Sequence, residues 1–231
     1  MRTAGRPSSP VVTREQLVAA AVQLIDDEGY TAFSVRRLAA HVGVGPATVT
    51  HHLGRRADVL IAAVDAMLRQ TPLLDPDLAD DWRDAVRMIA TGYRETLRRH
   101  RRATTLIVDV GARSPAGLEL SIRGLTALER GGIPVERLLD VHAAVIAYVT
   151  GFAIQESVEG LAGVVHPGLE QQLERLPESA VKSRFTELLP ALVEAAAAPK
   201  AHDTGADARF AEGLDALLAG LAATAEQVQT R

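Results

Sequence analysis

Between residues 34 and 60 the chain reads SVRRLAAHVGVGPATVTHHLGRRADVL, and the polar side chains there suit recognition better than bond breaking. Thr48, Thr50, His51 and His52 carry small or planar hydrogen-bonding groups that fit base edges and phosphate oxygens. Arg36 precedes them and Arg55 and Arg56 follow, cations of the kind that hold phosphates. Catalytic patterns fit poorly. His51 and His52 are adjacent, so on a helix they point about 100° apart, and no HExxH run or carboxylate one turn away completes a metal site. Gly43-x-Gly45-x-x-Thr48 echoes a dinucleotide loop, but it follows a helical run rather than a strand and no βαβ pattern surrounds it. There is no GxSxG. The 231 residues contain no cysteine, which excludes disulfides, iron–sulfur clusters, thiolate zinc sites and a cysteine nucleophile.

These side chains need a helix pair to present them. A helix-turn-helix requires a small residue where its helices cross, a turn residue that accepts positive φ, and an apolar anchor on the second helix. Ala39, Gly43 and Val49 supply them at +4 and +6, with Leu38, Val42, Val44 and Leu53 completing the apolar underside. Gly45-Pro46 starts the second helix, since proline is favoured at the first helical position, and Gly54 stops it. Before the pair, Thr13 and Gln16 form a capping-box pattern that opens a first helix; Leu17, Ala21, Leu24 and Ile25 follow at helical spacing to Gly29. After it, a fourth helix is expected from about Arg55 to Gln70. Residues 1–12 read as a flexible arm, in which Arg2 and Arg6 are candidates for a minor groove. Thr71–Asp80, with Pro72 and Pro76, reads as a connector.

The rest predicts helices near 81–100, 103–112, 115–130, 135–160 and 181–197, mostly loop over 162–180, a connector at Pro199–Asp207, and a last helix from Ala208 to Ala223. Strand-like alternation is nearly absent, so the fold class is all-α: a three-helix helix-turn-helix head joined to a larger helical bundle, with units at 1–12, 13–70 and 81–231. The apolar fraction is 47% and the aromatic fraction only 3%, which leaves Ala and Leu to build the core. Net charge is −4, but residues 1–60 carry seven arginines against five acids, a net +2 that leaves −6 on the remainder. A slightly basic head on an acidic body is compatible with phosphate contact. Residues 1–12 lack the apolar run of a signal peptide, and the stretch Ala143–Ile154 reads as too short to span a bilayer. The expectation is a cytoplasmic protein with no membrane partner.

Residues 13–62 resemble the DNA-binding head of the tetracycline-repressor (TetR) family. The family's entry to the motif appears as Ser34-Val35-Arg36-Arg37-Leu38-Ala39, and its recognition-helix ending, Leu-Tyr-x-His-Phe, as Val49-Thr50-His51-His52-Leu53. The basic residue that follows appears as Arg56. Residues 81–223 are similar to the branch that holds the tetracycline repressors themselves, most clearly over Phe210–Leu221. The resemblance implies a homodimeric repressor on a palindromic operator in double-stranded DNA, released by a small-molecule effector. It implies DNA contacts from Arg36, Thr48, Thr50, His51, His52 and Arg56, with Gly45 and Pro46 at the DNA surface. One departure is Thr50, where the family has a phosphate-contacting tyrosine; threonine can donate one hydrogen bond but reaches less far.

The helix near 135–160 is apolar almost all round, and Phe210, Leu214, Leu217, Leu218 and Leu221 form a stripe at helical spacing. The family uses two such helices per subunit in a four-helix interface, which implies Val145, Val149, Phe152, Phe210, Leu214, Leu217, Leu218 and Leu221 as dimer contacts; intrachain packing is the alternative. Polar groups within the apolar helices are effector candidates: Tyr93, Thr105, Asp109, His142, Tyr148 and Gln155. Asp109 aligns with a metal-coordinating histidine of the tetracycline repressors, and the exchange argues against a copied tetracycline–magnesium site. No cofactor and no metal are expected. In the implied mechanism a ligand shifts the 103–112 helix, which pushes the fourth. The rival readings are an enzyme, which no motif supports, and a helical ligand-binding or adaptor protein that has lost DNA binding, with Thr50 as its symptom.

Overall fold

The computed structural model describes residues 12–71, 79, 81–157, 168–197 and 204–229. The arm over residues 1–11, most of the 71–80 connector and parts of the 162–180 and 199–207 segments fall outside them. Among the described residues there are eleven α-helices and no strand, as expected.

The head starts where its caps dictate. Thr13 Oγ1 accepts from the Gln16 N–H (3.2 Å) while Gln16 Oε1 accepts from the Thr13 N–H (2.9 Å), opening α1 (Arg14–Glu28). Gly29 ends it at φ 82°. Ser34 caps α2 (Val35–His41) through the Arg37 N–H. Pro46 occupies the first turn of α3 (Pro46–Leu53), and Gly54, at φ 84°, separates it from α4 (Arg56–Leu68). Leu17, Ile25, Leu38 and Val49 are almost fully buried between these helices, each contributing roughly 1.5–3 kcal/mol.

The helix α4 leaves the head and runs into the body. The body centres on α5 (Trp82–Arg99), which packs against α7 (Pro115–Arg130) and α8 (Val135–Ser157). Its Val86, Ile89, Ala90, Tyr93 and Leu97 form the buried stripe. Between α5 and α7 lies the short α6 (Thr104–Val110), flanked by 3-10 turns. Gly117 lets α7 cross so close to the Gly111 carbonyl that a Cβ there would collide with backbone. Beyond α8 come α9 (Leu169–Glu174), α10 (Ala180–Ala197) and α11 (Thr204–Gln229).

Two expectations are corrected. The last helix begins at Thr204, not Ala208, and runs to Gln229. Asp207, read as connector, sits in its first turn, where its carboxylate accepts from Arg94 of α5 (2.8 Å) and faces the positive end of the helix. The apolar run in α8 is also longer than the sequence suggested: Val135–Glu156 has a mean hydropathy of 1.5 and is long and apolar enough to cross a membrane by length and composition. Its Val141, Val145, Val149 and Ala153 face is buried, and the helix packs on α5, α7 and α11.

Candidate nucleic-acid interface and enclosed cavity

The crossing of α2 and α3 has the geometry that the spacing requires. Ala39 is 1% exposed, Gly43 takes φ 72°, and Val49 is 0% exposed. The Val44 N–H donates to the Ala39 carbonyl at 2.9 Å, closing the turn. With Val49 and Leu53 turned inward, Gly45, Pro46, Thr50, His51 and His52 are exposed on α3, Thr48 is half-buried, and Arg36 is exposed on α2. The His51 and His52 rings lie edge to face, 5.4 Å apart. Thr50 Oγ1 donates to the Pro46 carbonyl at 3.1 Å. Its one hydrogen is thus spent within the helix, and in this rotamer it offers a phosphate no donor.

Arg56 is also placed differently from what the resemblance implied. Its Nε–H donates to the Phe33 carbonyl (3.1 Å) and its Nη2–H to the Tyr30 carbonyl (3.0 Å), tying the start of α4 to the α1–α2 turn. Arg37 pairs with Glu28 of α1.

In the body a cavity is enclosed between α5, α7 and α8. Its walls are mostly aliphatic, with Ile89, Leu120, Leu128 and Val149 among them, and its polar groups are Tyr93, Ser121 and His142. Burial pushes the Tyr93 hydroxyl up to about 12 and the His142 imidazole below its ordinary 6.5, so both are neutral at neutral pH. The void is about 40 Å³, room for a few waters at roughly 10–15 Å³ each. Any larger occupant must move side chains.

Of the six effector candidates, the structure brings together only Tyr93 and His142. Thr105, Asp109 and Gln155 are exposed, and Asp109, 76% exposed, lies 3.7 Å from Arg113 rather than in a cavity. Tyr148 donates to the Phe210 carbonyl (2.9 Å) and stacks on its ring, fastening α8 to α11. Ser121 and Gly124, which complete the cavity from α7, carried no motif and were missed. So was Arg94, 4% exposed. It forks onto Glu156 of α8 (2.9 and 2.5 Å) and lies over the Phe210 ring at 4.6 Å. Its signal was its place in the Val86–Ala90–Arg94 stripe of α5, where an unpaired cation would be costly.

Most residues expected at a dimer interface are packed within the chain. Val145, Val149, Phe210, Leu214 and Leu218 are 0–6% exposed within one chain, so they have no surface left for a partner. Phe152, Leu217 and Leu221 are half-buried on the same packed side. The outward faces are instead Leu139, Ala143, Ala147 and Ile154 on α8, and Ala216, Ala219 and Ala223 on α11.

Among the described residues, polar contacts that join head to body include the Arg102 guanidinium donating to the Asp27 carbonyl of α1 and three more. Asp65 of α4 accepts from the Ala116 N–H in the first turn of α7 (2.7 Å). Thr71, just beyond α4, shares a buried hydrogen bond with Thr96 of α5 (2.8 Å). His100 Nδ1 lies 2.9 Å from the Asp26 carboxylate of α1.

An all-helical body carrying an exposed helix-turn-helix defines a class of DNA-binding regulators. The comparison with known proteins narrows it: residues 17–63 match bacterial regulatory proteins of the tetR family, and residues 75–225 match the tetracyclin repressor-like C-terminal domain. The chain belongs to the tetracycline-repressor family of transcriptional regulators. It is 30% identical over 151 residues to an HTH-type transcriptional regulator of Saccharopolyspora erythraea, covering 65% of this chain and 64% of that one. It is 31% identical over 159 residues to the HTH-type transcriptional repressor DrrR1 of Streptomyces coeruleorubidus, covering 65% and 57%. The chain thus spans less than two thirds of the length of these relatives. Among solved structures, apo ActR from Streptomyces coelicolor superposes with a TM-score of 0.72 at 26% identity, covering 96% of this chain and 100% of that one. ActR has also been solved in complex with actinorhodin, with a TM-score of 0.70.

Proposed function

We propose that this chain is a homodimeric, cytoplasmic repressor that reads a palindromic operator with α3 and releases it when a small molecule enters the α5–α7–α8 cavity. The observation that carries this reading is the recognition face of exposed His51 and His52 beside half-buried Thr48, held on a head whose fourth helix is hydrogen-bonded to a wall of that cavity. In this reading residues 13–70 are the DNA-binding unit and residues 81–231 the effector and dimer unit. Arg36, Thr48, His51 and His52 face the groove, and the Gly45–Pro46 start of α3 approaches the backbone. The outward stripes of α8 (Leu139, Ala143, Ala147, Ile154) and α11 (Ala216, Ala219, Ala223) are apolar over enough length to meet the same stripes of a second copy. Two heads then set the half-site spacing.

The cavity suits an uncharged, largely apolar molecule with one hydrogen-bonding edge. Tyr93, Ser121 and His142 are neutral there, and burying a charge among aliphatic walls would be costly. ActR, a relative of similar fold, has been solved in complex with the small molecule actinorhodin. Because the void is small, an occupant displaces α7, and the Asp65–Ala116 bond passes that displacement to α4 and so to α3. It runs beside the route through α6 that the resemblance implied, since α6 also packs on α4. A coupling of ~1–3 kcal/mol would weaken operator binding ~5–150-fold.

The reading is tested by selecting bound duplexes from a random DNA library at moderate salt, without added ligand. Enrichment of a palindrome is the expected result. Weak retention that disappears with salt and favours no sequence would contradict it.

A further inference from the structure

Four arginines lie between residues 34 and 60, and the structure divides them into two kinds. Arg37 pairs with Glu28, and Arg56 directs two N–H donors at the Phe33 and Tyr30 carbonyls. Both of those carbonyls belong to the turn between α1 and α2. The Phe33 N–H also donates to Tyr30 O (3.2 Å), and Ser34, the cap of α2, follows directly. The fork of Arg56 therefore fixes the turn from which the helix-turn-helix starts. A guanidinium can span two carbonyls in this way, whereas an ammonium has no planar fork to match them.

Arg55 is the opposite case. It occupies the N-cap of α4, one residue beyond the bend at Gly54, and is exposed. Its side chain makes no capping hydrogen bond; the cap is made by Asp58, whose Oδ2 accepts from the Arg55 backbone N–H at 2.8 Å. An arginine is a poor choice there on local grounds. N-caps favour short oxygen-bearing side chains, and a cation at the positive end of a helix is repelled by the dipole. A residue that breaks the local rule without a structural return is the sort found at functional positions.

We propose that Arg55 is the arginine that holds an operator phosphate at the start of α4, and that Arg56 is a positioning residue that braces the α1–α2 turn. This rests on the reading that the head binds operator DNA. It moves the phosphate contact one residue from the place the family pattern assigns, and it leaves Arg36 and Arg55 flanking α3 as the two outward cations.

The test is the salt dependence of binding to the duplex enriched by the wild-type protein. One phosphate contact per head is two per dimer, and each contributes about 0.9 to the slope of log K against log salt. Arg55→Ala should therefore flatten the slope by about 1.8, which makes the affinity lost between 50 and 200 mM salt about 12-fold smaller than in the wild type. Arg55→Lys should restore the slope. Arg56→Ala should leave the slope as it was while speeding amide exchange at residues 33–38, and Arg56→Lys should not recover that protection. A slope changed by Arg56→Ala and unmoved by Arg55→Ala would overturn the assignment. So would a slope unmoved by either. If Arg56→Ala does not fold, the Arg55 pair of variants decides alone. Failure of the wild-type protein to enrich any duplex would instead remove the DNA-binding reading beneath the proposal.

Discussion

Replacing Asp65 by alanine should separate stability from mere surface charge at the joint between head and body. Asp65 Oδ1 accepts from the Ala116 N–H at 2.7 Å, and Ala116 is 8% exposed. That N–H lies in the first turn of α7, where no intrahelical acceptor exists. The alanine variant strands it, which costs roughly 1–3 kcal/mol. The other carboxylate oxygen accepts from Arg69, an exposed partner worth little. A loss near 2 kcal/mol in a chain of this size lowers Tm by ~4–8 °C. Asp65→Asn keeps an acceptor oxygen and gives up the charge facing the end of α7, about 0.3–1 kcal/mol, besides the weak pair with Arg69, so its Tm should fall by only ~1–4 °C. Calorimetry at one fixed protein concentration reads both, because the Tm of a dimer depends on concentration. An alanine variant within a degree of wild type, or an asparagine variant as damaged as the alanine one, would refute the account of this joint.

Other expectations follow from the body. Arg94→Met strands the Glu156 carboxylate and should cost roughly 3–5 kcal/mol in denaturant unfolding, whereas Asp207→Asn, at a 68% exposed partner, should cost under about 1 kcal/mol. Because burial holds His142 below 6.5, the unfolded chain takes up a proton that the folded one refuses as pH falls through that value. Stability should therefore drop on acidification below 6.5, and His142→Leu should flatten that part of a stability–pH curve. Ser121→Leu should fill the cavity of about 40 Å³. In a mobility-shift titration it should leave operator affinity within about twofold of wild type, yet abolish release by any small molecule that releases the wild type.

The helix starts were legible because their causes are local. Thr13, Ser34 and Pro46 act within three residues of themselves, and Gly29, Gly43 and Gly54 sit where φ is positive. The helix-turn-helix was legible for the same reason. The cavity was not, since Tyr93, Ser121 and His142 come from three helices and meet only through packing. Part of the error was avoidable. Leu106, Ile107 and Val110 set the inward phase of α6, which turns Thr105 and Asp109 outward. Gln155 lies about 200° round α8 from Ala153 in the buried Val141–Ala153 row. The dimer stripe was a different problem. The sides of α8 and α11 that face the body and the sides that face away are both apolar, so composition could not tell Val145 and Val149 from Ala143 and Ala147. The hydrogen bonds of Arg56 were not legible because its partners lie 23 and 26 residues away, beyond any pattern in its own helix.

The most direct test of the central claim is to repeat the duplex selection with His51→Ala. If α3 reads base edges, the enriched palindrome should lose its preference at the same position in both half-sites, by about 1–3 kcal/mol per base pair, and keep it elsewhere. An unchanged consensus bound with unchanged affinity would contradict the assignment of α3 as the reading helix.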